Sequence, residues 1–381
     1  MSDGRGTARR VMPAWCAVAC LLAAWMLAPA RVLTHGTLTT TVLFDREIVR
    51  ILNAHCVTCH SDGGPSFPLS TYDQTWRRSQ AIRTTVLRRH MPPWPAVAGY
   101  GRFANDNSLT LRETQFLVSW VEGLGPRNSG TVFLNVPDVK SAPREEVRAM
   151  AHTNHWQVGQ PDLVRPLEPA RVEAGQSQRT IRSVLDVGSP VELRLRAIEF
   201  QPGDRRVVRA ATFTVEGTGQ WLGSWTPWYG YASVPDGAMY RLPPRARIVA
   251  EIQYAGVEAP VTDRGTLGLF LADASATKPV TDLVLHAGKP TRIARDTTVW
   301  ALKPDIVAGM TSIEVRARRP DGGVEILLFA KDVSLDWPTP FVLKQPTLLR
   351  RGTQLSFIAH RGASSSIPPL LDGLRLTVAR Y

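Results

Sequence analysis

The first third of the chain repeats apolar residues at the three- and four-residue spacing of amphipathic helices. Residues 45–55, 71–90 and 110–125 show this pattern, which predicts three helices. Thr110 is a typical N-cap for the last of them, and a pair of prolines ends the second. The sequence therefore predicts a small all-α domain, to which we assign residues 39–128.

Beyond residue 150 the pattern changes to short alternating segments between turns. Residues 190–200 and 312–319 alternate polar and apolar side chains, as half-buried strands do. Pro320–Gly323 is a predicted hairpin turn. We therefore predict a multidomain chain whose second part is all-β, with two jelly-roll-like β-sandwiches over residues 151–280 and 281–381.

The N-terminal segment has the features of an export signal. A basic stretch with three arginines precedes an apolar run that ends in Ala-Pro-Ala. The run is also long enough for an uncleaved membrane anchor, so residues 1–30 are interpreted as either a cleaved signal peptide or an N-terminal anchor. Residues 129–150 are mixed and polar, and we interpret them as a linker between the α and β parts.

Composition limits the classes of function. The chain of 381 residues has 44% hydrophobic and 20% charged residues, which is typical of globular proteins, and its length suits two or three domains. Its formal net charge of +12 favours an acidic protein partner or an anionic surface. No nucleic-acid-binding signature accompanies this charge, so we predict no nucleic-acid partner.

The cysteines are concentrated in two short stretches. Two of the four lie in the predicted signal, and only Cys56 and Cys59 lie beyond it. Two cysteines are too few for a disulfide framework. With His60 they form a C-x-x-C-H motif directly after a predicted helix, which points to local chemistry at this pair.

Three kinds of site compete for this motif. A structural zinc site needs four ligands, and no second C-x-x-C or suitably spaced His pair follows. A thioredoxin-like pair is expected between a strand and a helix, whereas here a helix precedes and a loop follows. Covalent haem uses all three residues, because two thiols bond to the vinyl groups and the adjacent His binds the iron. The sequence favours one covalent haem c, held by Cys56, Cys59 and His60.

A second axial ligand of the iron is expected downstream of the motif. Met91 follows the second predicted helix and precedes two prolines, and Met is a common axial ligand of haem c. The alternatives are His90 as the ligand and a Met91 that only packs. We predict Met91.

Residues 39–128 resemble a bacterial cytochrome c module. The matching stretches are CVTCHSDGGPSFPLSTY, HMPPW, YGRFANDNSLTLRE and WVEGLGP. The resemblance implies that Cys56 and Cys59 bind the haem covalently. It also implies that His60 and Met91 are the axial ligands of the iron.

The β part resembles the two-domain core of copper type II, ascorbate-dependent monooxygenases. This group includes peptidylglycine and dopamine hydroxylases and bacterial relatives fused to such a cytochrome module. The matching stretches are WQVGQPDLV, WTPWYGYASVPDG, AEIQYAG, TDRGTLGLFLA, RRPDGGVEILL and RGTQLSFIA. They are scattered over nearly the whole second half of the chain.

The copper ligands of that family are not matched. Arg209-Ala210 and Gln253 stand where the resemblance places the ligands of one copper, and Asp305 and Val307 stand at two ligand positions of the other. Copper needs imidazole, thiolate or thioether ligands to bind tightly in such sites. We therefore expect no copper and interpret the β part as a binding or docking module. The histidines beyond the linker, which we expect at the surface or in turns, are His152, His155, His286 and His360.

Two further clusters each have two interpretations. The arginines of the second predicted helix either bind an acidic partner or haem propionates, or form a solvated helix face. A group of aromatic residues either lines a ligand groove or packs in the core. The arginines are Arg77, Arg78, Arg83, Arg88 and Arg89, and the aromatic residues are Trp221, Trp225, Trp228, Tyr229 and Tyr231.

The sequence-based hypothesis for function is an exported, periplasmic c-type cytochrome that exchanges electrons with a redox partner protein. The β part then serves binding or docking. The alternative is a haem-dependent oxidoreductase, or a haem protein that responds to a gas or to peroxide. Binding of Met91 to the haem iron would distinguish these two hypotheses, because catalysis and sensing need an open or exchangeable position on the iron.

Overall fold

The computed structural model describes residues 40–128, 155–362 and 374–381. The predicted signal or anchor and the predicted linker, residues 1–30 and 129–150, lie outside these residues. Within the described part, none of the helices has the length and apolar character that crossing a membrane requires.

The predicted helical segments form a short π-helix and four α-helices. The π-helix, Phe44–Ile48, runs directly into α1, Val49–His55. The others are α2, Tyr72–Arg77; α3, Ser79–Leu87; and α4, Leu111–Glu122.

Capping side chains fix the start of two helices. Thr71 accepts the backbone N–H of Gln74 before α2, and Thr110 accepts that of Glu113 before α4, both at 3.2 Å. In each case the later side chain bonds back to the capping residue, which completes a capping box. The second predicted helix is broken at Arg78, whose φ of −106° and ψ of 3° leave the helical region. The prediction was therefore wrong about the continuity of this helix, and also about its end, which is Leu87 and not residue 90.

One apolar core joins these helices. Ile48, Leu52 and Trp120 are fully buried in it. The ring of Trp120 meets that of Trp76 edge-on with centroids 5.6 Å apart, and its indole N–H donates to the carbonyl of Pro126 at 3.1 Å. The helical region thus has a core of its own, while its assignment as a cytochrome c domain stays a prediction.

The predicted all-β region is confirmed. The first β region contains β1 to β12: Leu163–Pro166, Ala170–Val172, Arg179–Asp186, Leu193–Gln201, Val208–Val215, Trp221–Trp225, Tyr231–Ser233, Ala238–Leu242, Arg247–Tyr254, Val261–Asp263, Thr266–Leu271 and Lys278–Pro279. The second β region contains β13 to β20: Thr281–His286, Thr291–Arg292, Thr297–Pro304, Met310–Arg318, Val324–Lys331, Phe341–Leu349, Gln354–Arg361 and Arg375–Arg380.

Each β region places sheets around an apolar core. In the first, the sheet β3-β9-β5-β6 and the sheet β1-β11-β4-β8-β12, with β7 on β4, share a core that contains Leu195 and Phe213. In the second, the sheets β13-β20-β15-β18 and β14-β19-β16-β17 share a core that contains Val315 and Phe357. The hairpin predicted at Pro320–Gly323 joins β16 to β17 and is confirmed. The division into two jelly-roll-like sandwiches stays a prediction.

The two β regions contact each other through buried side chains. Trp221 on β6 stacks on Trp300 on β15, with ring centroids 6.2 Å apart. The backbone N–H of Trp221 also donates to Asp282 Oδ2 on β13 at 2.6 Å. These contacts belong to one compact unit, Thr40–Tyr381.

A bridging segment, residues 94–105, connects the helical region to the second β region. Its backbone pairs with β17, where the Val97 N–H donates to the Phe329 carbonyl at 2.8 Å, and with β18, where the Ala104 N–H donates to the Val342 carbonyl at 2.7 Å. Because β17 and β18 are the edge strands of their sheets, the segment covers two edges that would otherwise expose unpaired backbone groups.

Aromatic side chains fix the bridging segment in the core. Trp94 and Phe103 are 8% and 7% exposed and lie in the core of the second β region. Their ring centroids are 5.5 and 5.4 Å from that of Phe341. The chain between α3 and α4 therefore packs with residues more than two hundred positions away, as the bonds between Asn105 and Pro340 also show.

Candidate functional site around the C-x-x-C-H motif

The motif forms a tight turn at the end of α1. The carbonyl of Cys56 accepts the N–H of Cys59 at 3.1 Å and that of His60 at 2.9 Å. Val57, 1% exposed, anchors the turn in the helical core. The helix and the two shared hydrogen bonds therefore hold both thiols and the imidazole on one rigid piece of backbone.

Both motif cysteines are free thiols. Burial raises the pKa of Cys56 to about 12, and the neighbouring Cys59 adds to this shift. Burial also raises the pKa of Cys59 to about 12, against the opposing effect of Arg205 and Arg209. Redox-active C-x-x-C pairs work through a thiol with a lowered pKa, so this environment does not suit a thioredoxin-like role.

The ring of His60 is oriented by a hydrogen bond to the backbone of Phe67. Its Nδ1 lies 2.9 Å from the carbonyl oxygen of Phe67, and the two rings are 4.6 Å apart. A carbonyl can only accept, so the neutral ring carries its proton on Nδ1 and leaves the lone pair on Nε2. Burial lowers the pKa of His60 and favours this neutral form. Metal-binding histidines are typically oriented in this way.

The loop after the motif closes over it. The Ser66 N–H donates to the Cys59 carbonyl at 3.1 Å, and the Leu69 N–H donates to the His60 carbonyl at 2.8 Å. A Cβ at Gly64 would lie 2.5 Å from the carbonyl oxygen of Cys59, so this position has no room for a side chain. The loop thus supports the motif by close backbone contact.

The donor set fits haem c better than a single metal ion. Within the described residues, no group of three or more His, Cys, Asp or Glu side chains is arranged to hold one ion, and this includes the motif. Zinc requires its ligands to converge on one point. In haem c the thiols instead bond to the porphyrin edge, and only the imidazole binds iron. The oriented Nε2 of His60 is available to an iron in this way, and haem c stays the predicted cofactor.

Met91 lies in a different environment from the motif. It is half-buried and lines a cavity of about 350 Å³ together with Trp94, Lys331, Asp332 and Trp337, among others. Neither the two cysteines nor the motif histidine borders this cavity. This cavity therefore does not join Met91 to the motif, and Met91 stays a predicted ligand. The alternative ligand, His90, is exposed.

A second cavity lies between the motif loop and the first β region. Its volume is about 560 Å³. Thr58, Ser61 and Gly63 line it on the motif side. On the β side the lining includes His155, Gln157, Glu199, Asp204, Arg205, Trp225 and Trp228. The motif thus faces a partly polar surface of the β region.

Two arginines of the first β region act on the motif. Arg205, just before β5, lies 5.7 Å from the ring of Trp225 and donates to the Pro227 carbonyl at 3.1 Å. Arg209, on β5, donates to the Arg206 carbonyl at 2.8 Å. Both are half-buried, and their positive charges act to lower the pKa of Cys59 against the effect of burial. Sequence analysis missed this contact because about 150 residues separate the arginines from the motif and no local pattern links them.

The predicted arginine and aromatic clusters are each divided by the structure. Of the helix arginines, Arg83 pairs with Glu122 and Arg78 covers the ring of Phe67 at 4.4 Å. Among the aromatic residues, Trp221 is buried in the core, whereas Trp228 lines the cavity at the motif. Packing and cavity lining therefore both occur within the aromatic cluster.

The positions compared with copper ligands partly converge. Ala210, Gln253 and Asp305 line one cavity of about 270 Å³ between the β regions. Val307 instead packs on the core of the second β region. Histidine is missing from this cavity, whose lining residues are all described. Of the other histidines, His155, His286 and His360 are exposed, and His152 lies outside the described residues.

Comparison of the sequence with models of known protein families and with curated proteins found no match. The two resemblances therefore rest on the residues and positions described above.

Proposed function

We propose that the protein is an exported c-type cytochrome that carries one covalent haem and transfers electrons. The observation that supports this most is the motif turn, in which a half-buried His60 is oriented through the Phe67 carbonyl beside two free thiols. In this proposal Cys56 and Cys59 bond to the haem, His60 binds the iron through Nε2, and Met91 is the sixth ligand. The bound haem supplies one-electron redox chemistry.

The surrounding residues hold and shield this site. The helical core fixes the motif turn through Val57, and the Phe67 carbonyl keeps the Nδ1 proton of His60 in place. The first β region covers one side of the motif loop. The polarity of the groups around a haem is one means by which proteins adjust its reduction potential.

The β regions complete the proposal as a binding or docking module. Non-ligating residues at the compared copper positions, among them Ala210 and Gln253, support a module without copper. The net charge of +12 supports an acidic redox partner. The same proposal includes export to the periplasm, and the predicted N-terminal signal supports this part of it.

A second candidate function is haem-dependent redox catalysis, or sensing of a gas or peroxide. The observation that favours it is the position of Met91, which lines a cavity with Lys331 and Trp337 rather than with the motif. A sixth position without a firm protein ligand is open to small molecules. Whether Met91 binds the iron in the haem-containing protein therefore decides between the two functions.

The decisive experiment is a spectroscopic titration of protein matured in a host that attaches haem c. We expect covalent haem, the weak near-infrared band of an iron–Met bond, its loss in Met91→Ala, and slow or absent binding of cyanide and carbon monoxide. A high-spin wild type that binds these ligands readily supports the second function. Covalent haem that persists in the Cys56→Ala/Cys59→Ala double variant would overturn both.

A further inference from the structure

The arginines beside the motif differ from other arginines in how they are paired. Arg206 forms two hydrogen bonds with the carboxylate of Asp204, and Arg83 binds Glu122. In the described part of the chain, Arg205 and Arg209 have no carboxylate partner and bond only to backbone carbonyls. Both are half-buried. Burying a cation without a counter-charge is unfavourable, so the pair is suited to receive an anion.

The nearby carboxylates are already engaged. Asp204 is held by Arg206, and Glu199, 2% exposed, accepts the N–H groups of Gln157 and Val158 at 2.8 and 3.0 Å. Arg205 lines the cavity that the motif loop borders. An anion that binds this pair would therefore come from outside the described residues, and the cavity at Arg205 opens towards the motif loop.

We propose that Arg205 and Arg209 bind the propionate groups of the haem. This inference rests on the proposed function, because it needs haem at Cys56 and Cys59. A haem tethered at Cys56 and Cys59 has its two propionates on the porphyrin edge away from the thioether bonds, so the tether makes their encounter with the pair intramolecular. Guanidinium binds carboxylate through paired, charge-assisted hydrogen bonds. The first β region thereby contributes directly to the haem site.

The assignment revises where propionate binding was expected. The sequence placed candidate arginines on α2 and α3, but Arg83 is paired and Arg78 covers Phe67. The position compared with a copper ligand, Arg209, gains a different use. It joins the haem to the β module, so that binding events on the module can reach the redox centre through a charged contact.

The test compares Arg205→Gln, Arg209→Gln and the double variant with Arg241→Gln, an exposed arginine of β8 that pairs with Glu192 and does not line this cavity. Haem attachment is first checked by the absorption of the pyridine haemochrome, because its absence in the wild type defeats the proposed function itself. With haem attached, the propionate bending band is followed by resonance Raman spectroscopy, together with the reduction potential.

We expect the propionate band to move to lower frequency and the potential to fall in both single variants, most in the double variant, with little change in Arg241→Gln. Arg205→Lys keeps the charge but not the paired geometry, so it should also move the band, and it serves if a Gln variant fails to fold. An unchanged band in haem-loaded variants overturns the proposal. A potential that responds to added phosphate only in the wild type, with the band unchanged, overturns it in favour of a free anion.

Discussion

The helical region meets the two β regions in opposite ways. Its contact with the second is apolar and continuous, because the bridging segment pairs with two sheet edges and buries Trp94 and Phe103. Its contact with the first is a polar cavity lined by groups such as Glu199 and Arg205. Buried apolar area stabilises a fold, whereas half-buried charges favour ligands. The first contact therefore mainly fixes the chain, and the second is a polar surface beside the motif, to which our proposal assigns a role in binding haem.

The largest effect is expected at the apolar contact. Trp94→Ala should lower the free energy of unfolding by about 3–5 kcal/mol, since it empties the space of a buried Trp side chain. The measurement is urea unfolding of the full-length protein. Trp228→Ala is the matched control at the polar contact, where the half-buried ring lines the cavity and meets Trp337. We expect about 1 kcal/mol there. Equal losses in both variants would remove the contrast between the two contacts.

The motif loop is the next most sensitive position. Gly64→Ala should destabilise the protein by about 1–3 kcal/mol, because its Cβ meets the Cys59 backbone and not a flexible side chain. The yield of covalent haem should fall with it. In the control, Gly323→Ala, the added Cβ meets only the ends of Asp321 and Arg319 on the hairpin. A stable Gly64→Ala with a normal haem yield would show that the loop does not hold the motif in place.

The local part of this architecture was predictable from the sequence, and the long-range part was not. Helical spacing, the Thr110 cap and the turn at Pro320–Gly323 are properties of adjacent residues, and each appears where predicted. The bridging segment has no periodicity, and its partners near Phe341 lie far along the chain. The sequence identifies Arg209 only as a residue at a position compared with a copper ligand. Its coupling to Cys59 arises from tertiary packing alone.

Asp282 offers a test of the contact between the β regions themselves. Burial raises its pKa to about 6, although the Trp221 N–H, Lys303 and Arg380 oppose this. A carboxyl whose pKa is raised by folding stabilises the fold while protonated. Stability from this group is therefore present below about pH 4 and is lost as the pH rises towards about 6, by an amount of the order of 2–3 kcal/mol.

Asp282→Asn should remove this part of the pH dependence while leaving the rest of the curve. The measurement is the difference in unfolding free energy between wild type and variant across that pH range. Asp321→Asn, on the exposed hairpin turn, is the control and should leave the slope unchanged. A difference curve that is flat for Asp282→Asn would show that the β regions are not coupled through a buried carboxyl.

The smallest expected effect lies wholly inside the helical region and so isolates what it contributes by itself. Thr110→Ala removes the side-chain acceptor for the Glu113 N–H at the start of α4 and should reduce stability by about 1 kcal/mol. Thr114→Ala is the matched control, because its hydroxyl only bonds back to the Thr110 carbonyl on an exposed surface. We expect a change within about 0.5 kcal/mol there. If the apolar contact couples α4 to the second β region, Thr110→Ala will shift a single unfolding transition. A separate early transition of the helical region would instead show that the bridging segment does not transmit its stability to α4.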